Sequence, residues 1–581
     1  MPLSSQGPWR ALLQGEDRSS RPVLAAAACL IASVVLPLAG PQLIRSFVDG
    51  AISRRPTSFL LVLGGVYLVV AVAGQAATVL ASYLGSRLAW TFTNRLRERL
   101  AEHTLGLDMD FHAGRTSGEM IERVDGDIVG LNDFLSQFVV QALAGALLLA
   151  GTLVLVARED LRVGLALAAL VAAGAVAMAA AQRRVVPRAI AQREATAQQF
   201  GALEEALVGA EDLRANAAGP YAVGRFLQAC GRVYRAEVRW QITGGAVIAG
   251  TNLLFSVGTA VLVGLGIVLL RSGSITVGTV VLLFQYAQIV RQPVEQIAGQ
   301  AKQLQQAGAA AGRVADLLGE EPTLVEPADA RPLPADGPLE ARLRSASFAY
   351  LPGETVLHRV DLVVPAGRSL GLVGRTGSGK STIARMLLRL YDPDEGAVEV
   401  GGVDLRLART ADIRGRVRMV TQDVQLFGAS VRDNVTLFDP RPADDAVRQA
   451  LEGVGLGEWL LELPDGLDTV LGPGALGVSA GEAQLLAFAR VFLADPGLVV
   501  LDEASSRLDL ATELLVSTAT DRLLTNRTAV VVAHRLSSLD RVDDIAVIDG
   551  GRIVEHGPRQ DLAGDRGSRF ATLLRAAGLA A

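Results

Sequence analysis

Long apolar runs separated by charged stretches dominate the first half of the chain, at residues 23–44, 59–90, 134–157, 161–181, 242–270 and 275–290. A helix needs about 20 apolar residues to cross ~30 Å of hydrocarbon, and each run is near or above that length. One such run could be a buried core helix. Six of them within 290 residues exceed what a soluble core absorbs, so the pattern predicts a polytopic, all-helical membrane domain with six transmembrane helices. The intervals between runs alternate: short loops lie near Arg54, Arg158 and Arg271, and long charged stretches fill 91–133 and 182–241. The long stretches hold five and nine arginines, against six in the short loops and their edges. That distribution places the long loops and both termini in the cytoplasm. Helical patterning in Arg95 to Leu100 and Leu203 to Leu207 extends the helices beyond the membrane.

Residues 1–20 read as a cytoplasmic segment with a short interfacial helix. They do not read as a signal peptide, because the apolar run after Arg21 is too long and more runs follow it. The membrane domain is expected over 21–319. A Pro-, Asp- and Glu-rich stretch, 320–338, reads as a linker. From 339 to 581 short β-branched runs alternate with Gly/Asp turns and amphipathic helices; Leu498 to Leu501 and Ala529 to Ala533 have the uninterrupted apolar character of buried parallel strands. This part is expected to be one α/β domain.

Composition supports the division. Half of the residues are hydrophobic and 20% are charged, which excludes a disordered chain. A net charge of −5 gives no electrostatic footprint for nucleic acid. Cys29 and Cys230 are the two cysteines, so neither a disulfide scaffold nor a Cys-rich zinc module is present. All but two of the 55 basic residues are arginine, the exceptions being Lys302 and Lys380.

Lys380 closes a phosphate-binding pattern. A strand-like run, Ser369 to Val373, leads into Gly374, Arg375, Thr376, Gly377, Ser378, Gly379, Lys380 and Ser381, and Thr382 continues into a helical pattern. This is the G-x-x-x-x-G-K-[ST] loop in its strand–loop–helix setting. Its glycines let backbone N–H groups converge on phosphate oxygens at the positive end of a helix. Lys380 reaches the β- and γ-phosphates, and the Ser381 hydroxyl can ligate Mg²⁺. A hydrolytic site also needs a second metal holder and a group that orients water. The apolar run ending in Asp502 and Glu503 offers both, with Glu503 as the proton acceptor. His534 follows a further strand-like run.

Together these features resemble the ATP-binding cassette (ABC) transporters, specifically half-transporters in which six spans are fused to one cassette in the exporter fold. In the cassette the resemblance rests on Ser347 to Tyr350 (A-loop), the phosphate loop, Val420 to Phe427 with Gln422 (Q-loop), and Val478 to Glu482 (signature). It continues with Asp502 (Walker B), Ser506 to Asp509 (D-loop) and His534 (H-loop). The resemblance implies that Tyr350 stacks on adenine, that Gln422 contacts Mg²⁺ or water, that Glu503 is the catalytic base and that His534 contacts the γ-phosphate. It also implies that Ser479 and Gly481 bind ATP held on a second subunit, so the working unit is a dimer. In the membrane domain, Asp110 to Arg123 and Glu211 to Gly219 occupy the family's coupling-helix positions, and Phe284 to Pro293 resembles its sixth span, with Arg313 near its end.

The sequence departs from the family pattern in one half of the nucleotide chemistry. Ala480 and Glu482 stand where the signature usually has glycine and glutamine, Leu471 to Gly474 lacks the glutamate exporters usually carry before it, and Arg507 replaces an alanine. The phosphate loop, Glu503 and His534 are intact. This asymmetry resembles one half of a heterodimeric exporter, although a homodimer fits the same motifs. The expected activity is ATP-driven export of a hydrophobic or amphipathic, drug- or lipid-like molecule across the cell membrane. An importer on the same fold, or an ATP-gated regulatory membrane protein, are the rival readings. Among polar residues in the spans, Gln75, Gln137, Gln141, Asn252, Gln285 and Gln288 could line a cavity or bond helix to helix.

Overall fold

The computed structural model describes residues 20–299, 301–472, 477–502, 510–533 and 536–578. The chain divides into two compact units, one of Met1–Leu105 with Ser117–Glu320, the other of Gly106–Thr116 with Glu321–Ala581.

The first unit is helical. Its principal helices are α1 (Ser20–Ile52), α2 (Thr57–Gly106), α3 (Val140–Glu159), α4 (Leu161–Val208), α5 (Gly219–Arg271), α6 (Val277–Ile289) and α7 (Ala301–Leu318). At 1.5 Å per residue the 50 residues of α2 rise about 75 Å, more than twice the hydrocarbon thickness. α4 and α5 are of similar length, so long loops and spans merge into continuous rods. Among the described residues five helices are long and apolar enough to cross a membrane: Arg21–Ile52, Thr57–Gly106, Ser117–Glu159, Leu161–Val208 and Gly219–Arg271. The sixth expected span is shorter than the sequence pattern suggests. α6 has 13 residues, about 20 Å, and the helix restarts as Arg291–Gly299. Pro293 explains the break, because it has no N–H for the Ile289 carbonyl.

α6 is nevertheless the packing centre of this unit. Leu282, Tyr286 and Val290 are fully buried against Val34 and Leu38 of α1, Val163 and Leu167 of α4, and Phe255 and Leu262 of α5. The Tyr286 hydroxyl donates to the Leu38 carbonyl at 2.9 Å. At the start of α6 the Asp49 carboxylate accepts from Gly278 N at 2.8 Å and from Thr276 Oγ1 at 2.7 Å, and Arg45 joins Asp49 to Glu159. The helix Asp127–Asp133 sits between two π-helical segments, Glu122–Gly126 and Phe134–Val139. Its buried Asp127 receives the Arg313 guanidinium of α7, with Nε 2.9 Å from Oδ2.

The second unit carries two sheets. Strands β1 (Ala341–Ala349), β2 (Thr355–Val364), β4 (Glu395–Val400) and β5 (Val403–Asp404) form an antiparallel sheet in the order β2-β1-β4-β5. The other strands are β3 (Ser369–Gly374), β6 (Val417–Val420), β7 (Leu498–Asp502), β8 (Thr528–Val532), β9 (Asp544–Asp549) and β10 (Arg552–Pro558). They form a six-stranded sheet in the order β10-β9-β3-β8-β7-β6, parallel except for β9–β10. Successive side chains of a strand face opposite sides, and here both sides are covered. Val499, Leu501 and Val531 pack with Leu486 and Phe488 of α9 (Ala480–Ala494) and with Val516 of α10 (Leu510–Leu524). Val500, Val530 and Val532 pack with Ile383 and Met386 of α8 (Lys380–Leu387). Two covered faces require the uninterrupted apolar runs seen in the sequence.

Candidate functional site

The parallel register sets the site. Leu372 of β3 is level with Val532 of β8, and Val532 is level with Asp502 of β7. The carboxyl ends of three adjacent strands therefore carry the Gly374–Ser381 loop, Ala533 just before His534, and Asp502 just before Glu503. Ligands of open parallel sheets bind along this edge. Glu503 and His534 themselves, like the D-loop residues Ser506 to Asp509, lie outside the described residues.

Within the loop, Gly377 and Gly379 adopt φ of 81° and 106°, a region that favours glycine. A Cβ on Gly379 would also come within 2.5 Å of the Leu357 side chain. α8 starts at Lys380 and leaves its first N–H groups facing the loop. The Lys380 ammonium is buried and donates to the carbonyls of Gly374 at 2.8 Å and Arg375 at 3.0 Å. Ser378 is buried too, and its hydroxyl hydrogen-bonds to none of the described residues; Arg375 and Thr376 are exposed, and Ser381 is half-buried in the first turn of α8. Loop, lysine and helix pole together form a cradle for a polyphosphate.

Tyr350 lies on the flank of this cradle. Its ring packs edge-on against Phe348 at 4.8 Å and Tyr391 at 5.3 Å between centroids. Its hydroxyl is 3.1 Å from Thr382 Oγ1 and accepts from Arg385 at 3.3 Å. Tyr391 and Arg385 carry no sequence signal of their own and emerge only from this packing. Gln422 stands exposed two residues beyond β6, whose Val420 is level with Leu501 of β7.

Ser479 and Gly481 belong to a different element. Ser479 is the N-cap of α9: its Oγ accepts from Glu482 N at 3.2 Å, and Glu482 Oε2 accepts from Ser479 N at 2.7 Å. The Glu482 carboxylate thus closes a capping box. Gly481 is buried, and a Cβ there would come within 1.9 Å of the Thr512 side chain. Ser479 and Gly481 thus stand at the start of α9, whereas the phosphate loop leads into α8. Farther along α9, Arg490 donates to the carbonyls of Asn434 at 2.8 Å and Gln425 at 3.1 Å. It ties the signature helix to the segment after Gln422, a link the motifs did not announce.

The loop between the second and third spans packs with the cassette, as residues Gly106–Thr116 of the second unit. Asp108 accepts from the backbone N–H of Thr323, from Thr323 Oγ1 at 2.8 Å and from Leu324 N at 3.2 Å. Burial, with Asp108 and Asp394 nearby, raises the Asp110 carboxyl above its ordinary range. Asp394 in turn holds the A-loop, accepting from Ala349 N at 2.8 Å. Asp108→Ala removes the acceptor from two linker amides at roughly 1 kcal/mol per hydrogen bond. Exchange at the Thr323 and Leu324 amides is expected to accelerate about tenfold by hydrogen–deuterium mass spectrometry, with Asp108→Asn in between.

A phosphate cradle at the carboxyl edge of a parallel sheet, in a chain with five membrane-length helices among the described residues, defines a membrane-bound P-loop nucleoside triphosphatase. Sequence and fold comparisons place it more closely. The ABC transporter transmembrane region matches residues 23–294, and the ABC transporter cassette matches residues 357–506. A fatty acid ABC transporter ATP-binding/permease protein of Mycobacterium tuberculosis is 31% identical over 473 residues, 81% of this chain and 74% of that protein. An ATP-dependent lipid A-core flippase of Thiobacillus denitrificans is 28% identical over 542 residues, 92% of each. A bacterial Atm1-family ABC exporter solved with ATP bound shares the fold, with a TM-score of 0.79 at 23% identity over 96% of this chain and 98% of that one. The chain belongs to the ABC transporter family: it is a multi-pass, exporter-type half-transporter that pairs with another ABC subunit and couples ATP hydrolysis to transport.

Proposed function

We propose that this chain is one half of a heterodimeric exporter of hydrophobic or amphipathic molecules in the cell membrane, with its cassette in the cytoplasm. The observation that carries the reading is the buried Lys380 cradle in a chain whose own signature departs from the family pattern at Ala480 and Glu482. Such a cassette presents its ATP to a second subunit and its signature to the second subunit's ATP. The intact cradle with Glu503 and His534 supports hydrolysis of the ATP bound here, and Ala480 in the signature supports a weaker site opposite. The two named relatives, for fatty acid and lipid A-core, support a lipid-like cargo.

In this reading Lys380 and the loop amides hold the β- and γ-phosphates, and Tyr350 meets adenine. The oxygen donors Ser381, Asp502 and Gln422 suit Mg²⁺, which when bound would neutralise phosphate charge. Glu503 takes the proton of the attacking water while the bond to the γ-phosphorus forms and ADP leaves. Closure of two cassettes over ATP pulls on the cytoplasmic loops and turns the helices outward, and hydrolysis releases the pair.

Tagged chain extracted from its native membrane tests the pairing. The expected complex contains one copy of this chain and one other ABC half-subunit with a standard signature. A complex of two copies of this chain that hydrolyses ATP at full rate would sink the heterodimer.

A further inference from the structure

Six polar side chains stood out in the predicted spans, and the structure separates them. Asn252 meets the Arg291 guanidinium, a bond from helix to helix. Gln75, Gln285 and Gln288 instead line one cavity of about 420 Å³ between α1, α2 and α6. Their carboxamides hydrogen-bond to none of the described residues, whereas neighbouring Gln42 donates to the Tyr286 hydroxyl at 3.4 Å. Gln75 and Gln288 are exposed and Gln285 is half-buried, so all three can be reached. Amide groups at membrane depth without partners are costly, and the Thr78 hydroxyl on the same wall is already donated to the Gly74 carbonyl at 3.0 Å.

The α1 wall adds an acceptor. Pro37 and Pro41 both line the cavity, and Pro41 has no N–H to give the Pro37 carbonyl, four residues earlier. Apolar and aromatic side chains, Tyr67, Phe284 and Ile289 among them, make up much of the remaining lining, and among the described residues no charged side chain contributes to it. An ionised carboxylate, phosphate or ammonium would enter without a counter-charge, at the cost that keeps unpaired charges out of membranes. A volume of this order suits a drug-sized ligand.

We propose that this cavity is a substrate subsite for neutral amphiphiles, molecules that join an acyl or aromatic body to an uncharged amide, ester or hydroxyl group. The assignment rests on the export reading and gives it a substrate class. The three carboxamides exchange hydrogen bonds with the polar group, and the body lies along Tyr67 and Phe284.

The test uses the full chain, assembled with its partner subunit, in phosphatidylcholine nanodiscs. Three photoreactive probes share one diazirine-bearing dodecyl chain: the N-acyl ethanolamide, the carboxylate and the trimethylammonium. The ethanolamide is expected to label peptides of α1, α2 and α6, to be competed by unlabelled ethanolamide, and to exceed either ionised probe about tenfold, the worth of one or two hydrogen bonds. The triple variant Gln75→Leu, Gln285→Leu, Gln288→Leu is expected to erase that preference. Should it fail to assemble, Gln285→Glu supplies a counter-charge and is expected to raise ammonium labelling relative to ethanolamide about fivefold, a shift toward the cation that misfolding does not produce. Equal labelling by the carboxylate, or labelling that ignores these substitutions, overturns the assignment, as does labelling of the unpaired chain that vanishes in the pair because the partner fills the space. ATP-driven transfer of the ethanolamide into proteoliposomes separates the two claims. Transfer without labelling at this cavity overturns the subsite and leaves export standing. Labelling without transfer supports the subsite and counts against export.

Discussion

Replacing Glu503 by Gln is expected to lower ATP turnover of the assembled pair by about 10²- to 10⁴-fold, the usual worth of a general base, while ATP still binds. The strand before it makes the case. Leu498 to Leu501 are essentially inaccessible, held between β6 and β8, and Asp502 is 9% exposed. A strand so enclosed fixes Asp502 level with Val532 of β8 and one strand removed from the phosphate loop, and Glu503 is the next residue in the sequence. Glutamine keeps the size and hydrogen-bonding reach of glutamate but cannot take the proton from water. Nucleotide should therefore accumulate uncleaved, and the measurement pairs steady-state phosphate release with retained ATP after rapid filtration. Turnover above about a tenth of the original rate would show that hydrolysis occurs mainly on the partner's Walker residues, since losing a true base costs more.

The motifs made the nucleotide chemistry legible because each is a local device. A glycine-rich turn followed by lysine, a serine three residues before a glutamate, and an apolar strand ending in aspartate each need only a few consecutive residues to work. The apolar runs were legible for a similar reason, since crossing a membrane is a matter of length. Neither signal reports which helices meet. Gln75 lies 210 residues before Gln285, and nothing in either stretch shows that both border one cavity. The clamp between Asp108 and Thr323 spans 215 residues and joins what reads as an ordinary loop aspartate to a linker threonine. Tyr350 was legible as an aromatic at the right distance, but its bond to Thr382 depends on how β1 packs against α8. The shortened α6 is legible in principle, because Pro293 cannot continue the hydrogen-bond ladder, but an apolar run that ends at Val290 does not register it.

Lys380→Ala is expected to be the more damaging change for binding. The ammonium is already drawn over the loop by the Gly374 and Arg375 carbonyls, so its charge is placed before ATP arrives, and little side-chain ordering remains to be done when phosphate takes over those bonds. Each charge-assisted hydrogen bond is worth about 1.5–3 kcal/mol, so losing even one weakens ATP binding by roughly 10- to 150-fold. The composition of the chain gives an unusually clean readout. Lys380 and Lys302 are its two lysines, so an amine-reactive reagent has two side-chain targets, and mass spectrometry can follow each. ATP is expected to protect Lys380 in proportion to occupancy while leaving Lys302 as the internal reference. In the Ala variant, with that target gone, equilibrium binding of a fluorescent ATP analogue reports the loss, and melting without nucleotide separates it from damage to the fold. Near-normal affinity in a stable variant would mean that the loop amides and the pole of α8 hold the phosphates without the lysine, and the cradle would have to be redrawn around the backbone alone.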